Sequence, residues 1–333
     1  MKKILLTIFF SCFLYFSFSQ CDGRYDNEIF TNVNKNTVYY SDVFNDSEHE
    51  MDVYTPYGDT KNNRPLIIYM HGGTFLSGDK EDTDCIDFCE TFTKRGFVCA
   101  SINYRLVPII QAGLFISSNS VQFSTVLKAT MDAKAAVRFF RKDVSNGNTY
   151  GIDENTIFVG GYSAGAVSAI HLAYLDSITD LPTNPTNVQD MILNLGGIEG
   201  DAGNFGFSSK VSGIISFAGG IHDLNWIDAL DEPIVSCQGE LDLTVNFNCG
   251  PGINTQTVLE LCGLNEIHPR ANTVGLINEK LVFTNTAHSW PSAGNLNFNF
   301  QQAIEFTKDF LYPLLPCNNT TNNTEISISK ELI

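Results

Sequence analysis

Residues 161–165 read Gly-Tyr-Ser-Ala-Gly, and Ser163 at their centre has the setting of a nucleophile. The β-branched and aromatic run 156–160 predicts a buried strand, and the Ala-rich run 164–174 predicts a helix. A serine on the sharp turn between them exposes its hydroxyl for attack on a carbonyl carbon, and glycines on both sides let the turn close. The alternative is that Ser163 only caps the helix. A nucleophile requires three further features in a fixed order, and a cap requires none of them.

The first of these features is an oxyanion-binding segment upstream of the serine. A second buried-strand run, 65–70, is followed by His71, Gly72, Gly73 and Thr74. Glycines directly after a strand let backbone N–H groups face a bound oxygen, and the N–H of Ala164 would join them. We therefore expect Gly72, Gly73, Thr74 and Ala164 to form an oxyanion hole, the alternative being a plain Gly-Gly turn.

Several stretches together resemble one family, the α/β-hydrolase superfamily, and within it the HGG-type carboxylesterases, both hormone-sensitive-lipase-like and feruloyl-esterase-like. They are 51–56, 71–80, 101–106, 132–140 and 151–166. The chain departs from the common pattern at Thr74, which stands where a third glycine is usual, and at Tyr162 and Ala166 in the elbow. The resemblance implies serine ester hydrolysis without a cofactor.

The fold class expected is α/β. The alternation of apolar strands and amphipathic helices favours a mostly parallel sheet with helices on both faces, and the resemblance implies eight strands. Residues 36–54 are expected to form two leading antiparallel strands. We expect a catalytic domain over 21–315 with a small lid insertion over 177–210, in which 193–207 covers the pocket. The alternative for this insertion is a surface segment without a role.

The base must be a histidine downstream of the acid. Of six histidines, His49, His71, His171 and His222 are set aside by position or by expected packing, which leaves His268 and His288. His288 follows the strand-like run 280–285 and precedes the helical pattern 298–311, which is the loop where the family carries its histidine. His288 is therefore the predicted base, and His268 is the alternative.

The acid is expected after the preceding strand, 233–237. There Gly239, Asp242 and Val245 resemble the family's pattern of a glycine, an aspartate three residues later and then a valine. Asp242 is the predicted acid because it completes the order serine, acid, histidine. Glu240 is the alternative acid, and a loop aspartate that caps the next helix is the alternative without chemistry.

Three bulky residues adjoin these positions in the chain, namely Phe75, Tyr162 and Trp290. We predict that they line the substrate pocket and make it narrow, which would favour acetyl to butyryl esters over dodecanoyl esters. The alternative is that the aromatic rings pack in the core.

Composition excludes several other functions. The net charge of −17 argues against nucleic acid and anionic membrane surfaces as partners. No cluster of cysteines and histidines has zinc spacing, so no metal is predicted. The partner expected is a small-molecule or polymeric ester.

The first 20 residues have the pattern of a secretory signal. Lys2 and Lys3 precede the apolar run 4–16, and Ser-Phe-Ser at 17–19 is a small-x-small cleavage site. The apolar run is too short to cross a membrane, so we expect no integral membrane segment after cleavage. This predicts a secreted or cell-surface protein, with a lipoprotein anchored at Cys21 as the alternative. The Asn/Thr-rich tail 316–333 predicts a flexible linker.

Eight of the nine cysteines lie beyond the signal, an even number in an oxidising compartment, which predicts disulfides. Cys85 and Cys89 are close enough in sequence to pair, as are Cys237, Cys249 and Cys262 among themselves. Eight cysteines permit 105 connectivities, so the pairing stays open.

The function predicted is that of a secreted serine hydrolase that cleaves carboxylic esters through an acyl-enzyme. Two alternatives remain: a peptidase or amidase of the same fold, and a non-catalytic binding module, since a fold does not fix a function.

Overall fold

The computed structural model describes residues 21, 23–184 and 186–317. The predicted signal (1–20) and nearly all of the predicted linker lie outside the described residues. Within them, no helix is both long enough and apolar enough to cross a membrane.

An eight-stranded sheet forms the centre of the molecule. The strands of the described chain are β1 (Val33–Tyr39), β2 (Glu50–Pro56), β3 (Arg64–Met70), β4 (Val98–Ile102), β5 (Ile152–Tyr162), β6 (Gly213–Phe217), β7 (Ile234–Gly239), β8 (Cys249–Pro251), β9 (Glu260–Cys262) and β10 (Asn278–Phe283). The strand order of the sheet is β1-β2-β4-β3-β5-β6-β7-β10. The pairs β1–β2 and β2–β4 are antiparallel and the other five pairs are parallel. Strands β8 and β9 form a separate antiparallel hairpin. The predicted α/β fold, with its two leading antiparallel strands, is confirmed.

Helices cover both faces of this sheet. They are α1 (Thr83–Lys94), α2 (Ala112–Ser117), α3 (Asn119–Ser145), α4 (Ala164–Tyr174), α5 (Val188–Asn194), α6 (Leu264–Val274) and α7 (Phe298–Leu311). Strand β3 is buried along its whole length, and its residues alternate between the two cores. Leu66, Ile68 and Met70 belong to the core that contains α3 and α4. Ile67 and Tyr69 belong to the core that contains α1 and α7. This alternation follows from the two-residue period of a strand.

Two disulfides are present among the described residues, which confirms that the chain carries such bonds. One joins Cys21 to Cys317 and closes 296 residues, and the other joins Cys249 to Cys262 across the β8–β9 hairpin. The other four cysteines in the described part of the chain are free and buried, namely Cys85, Cys89, Cys99 and Cys237. The suggested Cys85–Cys89 pair therefore does not form, and Cys237 does not join Cys249 and Cys262.

The insertion 177–210 does not lie where the sequence suggested. Its residues 193–207 pack against α3 and the N-terminal strands: Arg138 bonds Glu199 and the carbonyl of Gly203, and Asn204 donates to the carbonyl of Tyr40. None of 193–207 lines the apolar cavity beside Ser163, and among the described residues of the insertion only Leu181 does. The cover over that cavity comes instead from α2, the start of α3, and residues 244–261.

Candidate active site

Ser163 lies on the turn between β5 and α4, as predicted. Its backbone has φ of 54° and ψ of −116°, a conformation that a non-glycine residue adopts only when its surroundings hold it there. The N–H of Ser163 donates to the carbonyl of Phe217 at 2.9 Å, and the carbonyl of Ser163 accepts from Val167 at 2.9 Å. These bonds to β6 and to the first turn of α4 fix the strained residue between two rigid elements.

The two glycines of the motif are required by close approach. A Cβ added at Gly161 would lie 2.8 Å from the Gly165 carbonyl carbon and closer still to the Met70 carbonyl oxygen. A Cβ added at Gly165 would meet the same Met70 carbonyl group and the carbonyl of His71. The helix therefore starts directly against the end of β3, which brings Ser163 beside the loop that follows β3.

Ser163, His288 and Asp242 form one continuous hydrogen-bonded chain. The Oγ of Ser163 lies 2.7 Å from Nε2 of His288, and Nδ1 of His288 lies 2.7 Å from Oδ2 of Asp242. All three side chains are buried. The three predicted residues come from three separate loops, so their convergence is a property of the fold rather than of sequence proximity.

The carboxylate of Asp242 is held by bonds on both oxygens. Oδ1 accepts from the backbone N–H groups of Thr244 and Val245 at 2.9 and 3.1 Å. Oδ2, which faces His288, also accepts from Nε2 of Gln238 at 3.2 Å. Glu240, the alternative acid, is exposed and accepts from the N–H of Asn285. Of these two carboxylates, Asp242 is the one within hydrogen-bond distance of His288.

His268, the alternative base, lies away from this chain. It sits on α6, where its Nδ1 is 2.7 Å from Oδ1 of Asn278. Burial lowers its pKa to about 4. This histidine is therefore a neutral core residue and not a partner of Ser163.

The predicted oxyanion segment lies against Ser163. A Cβ added at Gly72 would lie 3.4 Å from the Ser163 Cβ. Gly73, Thr74 and Phe75 have positive φ angles of 110°, 57° and 60°, which curls the loop around this point. Within the described part of the chain, the N–H groups of Gly73 and Thr74 donate to no other protein group. The N–H of Ala164, at the first position of α4, has no intrahelical acceptor either.

Residues that follow β4 hold this loop in place. The ring of Tyr104 stacks on His71 with centroids 4.3 Å apart, and its hydroxyl donates to the His71 carbonyl. The N–H of Val107 donates to the carbonyl of Phe75 at 2.8 Å. Arg105 is anchored in turn by the fully buried Asp132 of α3. Within the stretches 101–106 and 132–140, Tyr104 therefore contacts the 71–75 loop directly, and Asp132 fixes the adjacent Arg105.

An apolar cavity opens directly at Ser163, with a volume of about 770 Å³ including its opening to solvent. Thr74, Phe75, Ser163 and Ala164 line one end of it. The other walls come from α2 and α3, from α4, from the segment that carries His222 and Trp226, and from residues 244–261. Those walls are Phe115, Gln122, Phe123, Val126, Leu127, Val167, His171, Leu181, His222, Trp226, Thr244, Val245, Gly252, Ile253, Val258, Leu259 and Leu261.

Of the three predicted pocket residues, only Phe75 lines this cavity. Trp290 belongs to the core on the opposite face of the sheet, where its ring contacts Phe217 and Phe283. Tyr162 also belongs to that core, because it directly precedes Ser163 along a strand and so faces the other way. The predicted narrowing by Tyr162 and Trp290 is wrong, and the expectation of short acyl chains loses its basis.

Tyr162 instead packs behind the histidine of the site. Its ring centroid is 5.3 Å from that of His288. The buried Asp84, near the start of α1, lies close enough to raise the pKa of the Tyr162 hydroxyl further, after burial itself. Burial, followed by the charge of Asp82, raises the pKa of Asp84 to about 7.

The cavity wall contains residues that the sequence did not single out. His171, expected only to pack within α4, lines the cavity; its Nδ1 donates to the Val167 carbonyl and its ring meets Trp226 edge-on. Burial lowers the pKa of His171 to about 4, so it is neutral at neutral pH. Phe115 of α2 and Phe123 of α3 also line the cavity, and the apolar residues of 112–124 were the only sequence signal for them.

Two groups of side chains among the described residues bring three metal-ligand atoms within 4.8 Å of one another. One consists of Asp176, Asp228 and Asp231, and the other consists of Cys249, Glu260 and Cys262, whose sulfurs are joined in a disulfide. Neither group includes a residue of the Ser163 site.

Comparisons with known proteins agree with this fold. Gut esterase 1 of Caenorhabditis briggsae is 29% identical over 117 residues, 35% of this chain and 19% of that protein. Gut esterase 1 of Caenorhabditis elegans is 31% identical over 109 residues, 32% of this chain and 18% of that protein. The chain thus spans about a fifth of the length of these curated relatives.

Two solved structures share the fold. The structure of esterase 2 of Thermogutta terrifontis phosphonylated by cyclosarin has a TM-score of 0.60 and 19% identity, over 84% of this chain and 93% of that one. A truncated carbohydrate esterase from gut microbiota has a TM-score of 0.61 and 17% identity, over 86% and 97%. The BD-FAE family model matches residues 51–229, more than half of the chain. The chain therefore belongs to the BD-FAE family, with an α/β-hydrolase fold.

Proposed function

We propose that this protein is a serine hydrolase that cleaves carboxylic esters, with Ser163 as nucleophile, His288 as general base and acid, and Asp242 as the orienting acid. The single observation that carries the proposal is the continuous chain of two 2.7 Å contacts from Ser163 Oγ through His288 to Asp242. The esterases among its curated and structural relatives support the same chemistry.

In the first half of the reaction, Ser163 Oγ attacks the ester carbonyl carbon while His288 Nε2 accepts the hydroxyl proton. The carbonyl oxygen becomes negative, and the N–H groups of Gly73, Thr74 and Ala164 stabilise it. Each such donor is worth on the order of 10²- to 10³-fold in kcat. His288 then returns the proton to the alcohol oxygen as the C–O bond breaks, which leaves an acyl group on Ser163.

In the second half, water replaces the alcohol. His288 removes a proton from the water as its oxygen attacks the acyl carbon, and the same N–H groups stabilise the second oxyanion. Return of the proton to Ser163 Oγ releases the carboxylic acid and restores the enzyme. Asp242 accepts from His288 Nδ1 throughout, so in the resting enzyme Nε2 is unprotonated and aimed at the serine, and the imidazolium that forms after attack is stabilised.

The apolar cavity beside Ser163 would bind either the acyl group or the alcohol group of the ester. Its walls are aromatic and aliphatic, so burial of that group contributes about 25 cal/mol for each Å² of apolar surface removed from water. The related esterase 2 of Thermogutta terrifontis has been solved with propionate and with butyrate bound. We infer that an acyl group occupies the corresponding place here, in a domain that extends over 21–315.

We also infer that the protein is exported. The pattern of residues 1–20 and the Cys21–Cys317 and Cys249–Cys262 bonds support an oxidising compartment, because disulfides rarely persist in the cytosol. Detection of the chain outside the cytoplasm, beginning after residue 20, is the expected result. A chain that retains residues 1–20 in the cytoplasm would contradict this inference.

The test of the activity is hydrolysis of p-nitrophenyl butyrate by wild type, Ser163→Ala and Asp242→Asn. We expect Ser163→Ala to lower kcat by on the order of 10⁴- to 10⁶-fold with an unchanged circular dichroism spectrum. Asp242→Asn should lower kcat by about 10⁴-fold, because the amide favours the wrong tautomer of His288. If folded Ser163→Ala keeps more than about a tenth of wild-type activity, Ser163 is not the nucleophile. If the wild type cleaves no ester, the chain is a binding module or acts on other bonds.

A further inference from the structure

The residues that cover the Ser163 cavity belong to two segments that are otherwise far apart in the chain. One segment is α2 with the first turns of α3, which supplies Phe115 and Phe123. The other is residues 244–263, here called the cover hairpin, which supplies Ile253 and Leu259. The size of the cavity therefore depends on the distance between these two segments.

The buried side chain of Gln122 joins the two segments, beside a bond from Thr257 Oγ1 to the Ile116 carbonyl at 2.6 Å. Gln122, 2% exposed, donates from Nε2 to the carbonyls of Phe115 at 2.6 Å and Thr257 at 3.1 Å. Its Oε1 accepts from the N–H of Leu259 at 2.9 Å. Both NH₂ hydrogens and the carbonyl oxygen are thus used, and each bond ends on a backbone group of the cover.

The base of the cover hairpin is closed covalently. Cys249 and Cys262 face each other across β8 and β9 and form a disulfide. Cys262 also exchanges two backbone bonds with Ile221, at 2.8 and 2.9 Å, next to the cavity residue His222. The hairpin is therefore fixed at its base by the Cys249–Cys262 bond and near its tip by Gln122.

The tip of the cover hairpin is held in a conformation that costs free energy. Ile253 has φ of 49° and ψ of 28°, and Asn254 has φ of 50°. A β-branched residue in this region is a true outlier, and such strain persists only where the surroundings impose it. Here the strained turn directs Ile253 into the cavity wall.

We propose that Gln122 and the Cys249–Cys262 bond form a clasp that sets the longest acyl chain the Ser163 cavity accepts. This proposal rests on the proposed function. Gln122 is a positioning residue in it: the side chain holds Leu259 and Phe115 together and takes no part in the reaction. With the clasp open, the hairpin moves away from α3 and the cavity admits longer chains.

The experiment compares Gln122→Met with Gln301→Met. Gln122→Met removes two bonds to backbone carbonyls and one from a backbone N–H. Gln301→Met removes one bond, to the Asn295 carbonyl, from a residue that is exposed on α7 and does not line the cavity. The quantity measured is the ratio of kcat/KM for p-nitrophenyl decanoate to that for the butyrate. We expect this ratio to rise at least about tenfold in Gln122→Met, mainly through KM, and to stay within about twofold of wild type in Gln301→Met.

A second part of the experiment removes the other component of the clasp, the Cys249–Cys262 disulfide. Cys249→Ser/Cys262→Ser should raise the same ratio, whereas Cys21→Ser/Cys317→Ser, which removes the disulfide outside the cavity, should not. Loss of stability alone lowers the folded fraction equally for both esters, so it leaves the ratio unchanged. The control pair also separates a general effect of bond removal from an effect on the cavity.

The proposal is overturned if the ratio in both clasp variants stays within about twofold of wild type, or if it rises equally in the controls. Failure of both clasp variants to fold at 25 °C would also overturn it, since the cover would then be part of the folding core. If wild type cleaves neither ester, the proposed function fails separately. The clasp is then tested by calorimetry, as the ratio of the association constant for octanamide to that for butyramide. This ratio should rise at least about tenfold in Gln122→Met and stay within about twofold of wild type in Gln301→Met.

Discussion

Gly161→Ala tests whether the close packing of the elbow on β3 positions the nucleophile. The added Cβ would lie 2.8 Å from the Gly165 carbonyl carbon, whereas ordinary van der Waals contact begins at 3.4 Å. The backbone must therefore open by at least 0.6 Å, the difference between these two distances, and the Met70 carbonyl oxygen demands more. Displacement of catalytic groups by about 1 Å costs on the order of 10²-fold in rate, so we expect kcat to fall by about 10- to 100-fold. Overpacking should also cost about 1–3 kcal/mol of stability.

The matched control is Gly113→Ala. Gly113 lies in α2, has no positive φ, and a Cβ there would meet nothing within 4 Å. The same methyl group should leave kcat within about twofold and stabilise the protein by about 0.5–1 kcal/mol. The assays are steady-state hydrolysis of p-nitrophenyl butyrate and urea denaturation. A Gly161→Ala enzyme with wild-type kcat and wild-type stability would refute the reasoning.

Two further predictions concern stability. In the chain-entropy model, loss of Cys21–Cys317, which closes 296 residues, should cost about 6 kcal/mol, against about 3 kcal/mol for Cys249–Cys262, which closes 13. Urea denaturation of the two double-serine variants measures this, and the reverse order would contradict the model. Asp84→Asn should stabilise the protein increasingly from pH 4 to pH 7. The folded pKa of Asp84, about 7, lies above its ordinary value of 3.8, so wild-type stability falls as the unfolded state ionises. The gain at pH 8 is at most about 4 kcal/mol, and a difference independent of pH in thermal melts would exclude this role.

The sequence predicted those parts of the site that depend on local hydrophobic periodicity or on the order of residues along the chain. The strand–serine–helix elbow has a distinct periodicity on each side of Ser163, and both elements form where expected. Asp242 and His288 could be proposed because parallel strands end at one edge of the sheet, so residues after successive strands lie close together there. The order of the strands along the chain therefore indicates which residues lie near Ser163, even when no long-range contact is known.

The cavity wall could not be predicted in the same way, because its residues come from separate segments. Proximity to a catalytic residue in sequence was misleading for Tyr162 and Trp290. A neighbour along a strand points to the opposite face, and the 3₁₀ turn from Trp290 to Leu296 carries the indole into the other core. The sequence left Cys249–Cys262 as one of several possible pairs and suggested no partner for Cys21, because pairing depends on which loops the fold brings together.

The Cys21–Cys317 bond has a mechanical consequence. The Cα atoms of these two residues lie 5.3 Å apart, so the two ends of the described chain are held together at one point. Tension applied between Cys21 and Cys317 passes across two sulfur atoms and does not load the hydrogen bonds of the sheet. A cut in any loop between residues 21 and 317 would likewise leave the two pieces covalently joined. Pulling at the ends of the oxidised chain should therefore leave Ser163, His288 and Asp242 aligned. After reduction of the disulfide, the same force would detach β1 at the N-terminal end of the domain and α7 at its C-terminal end.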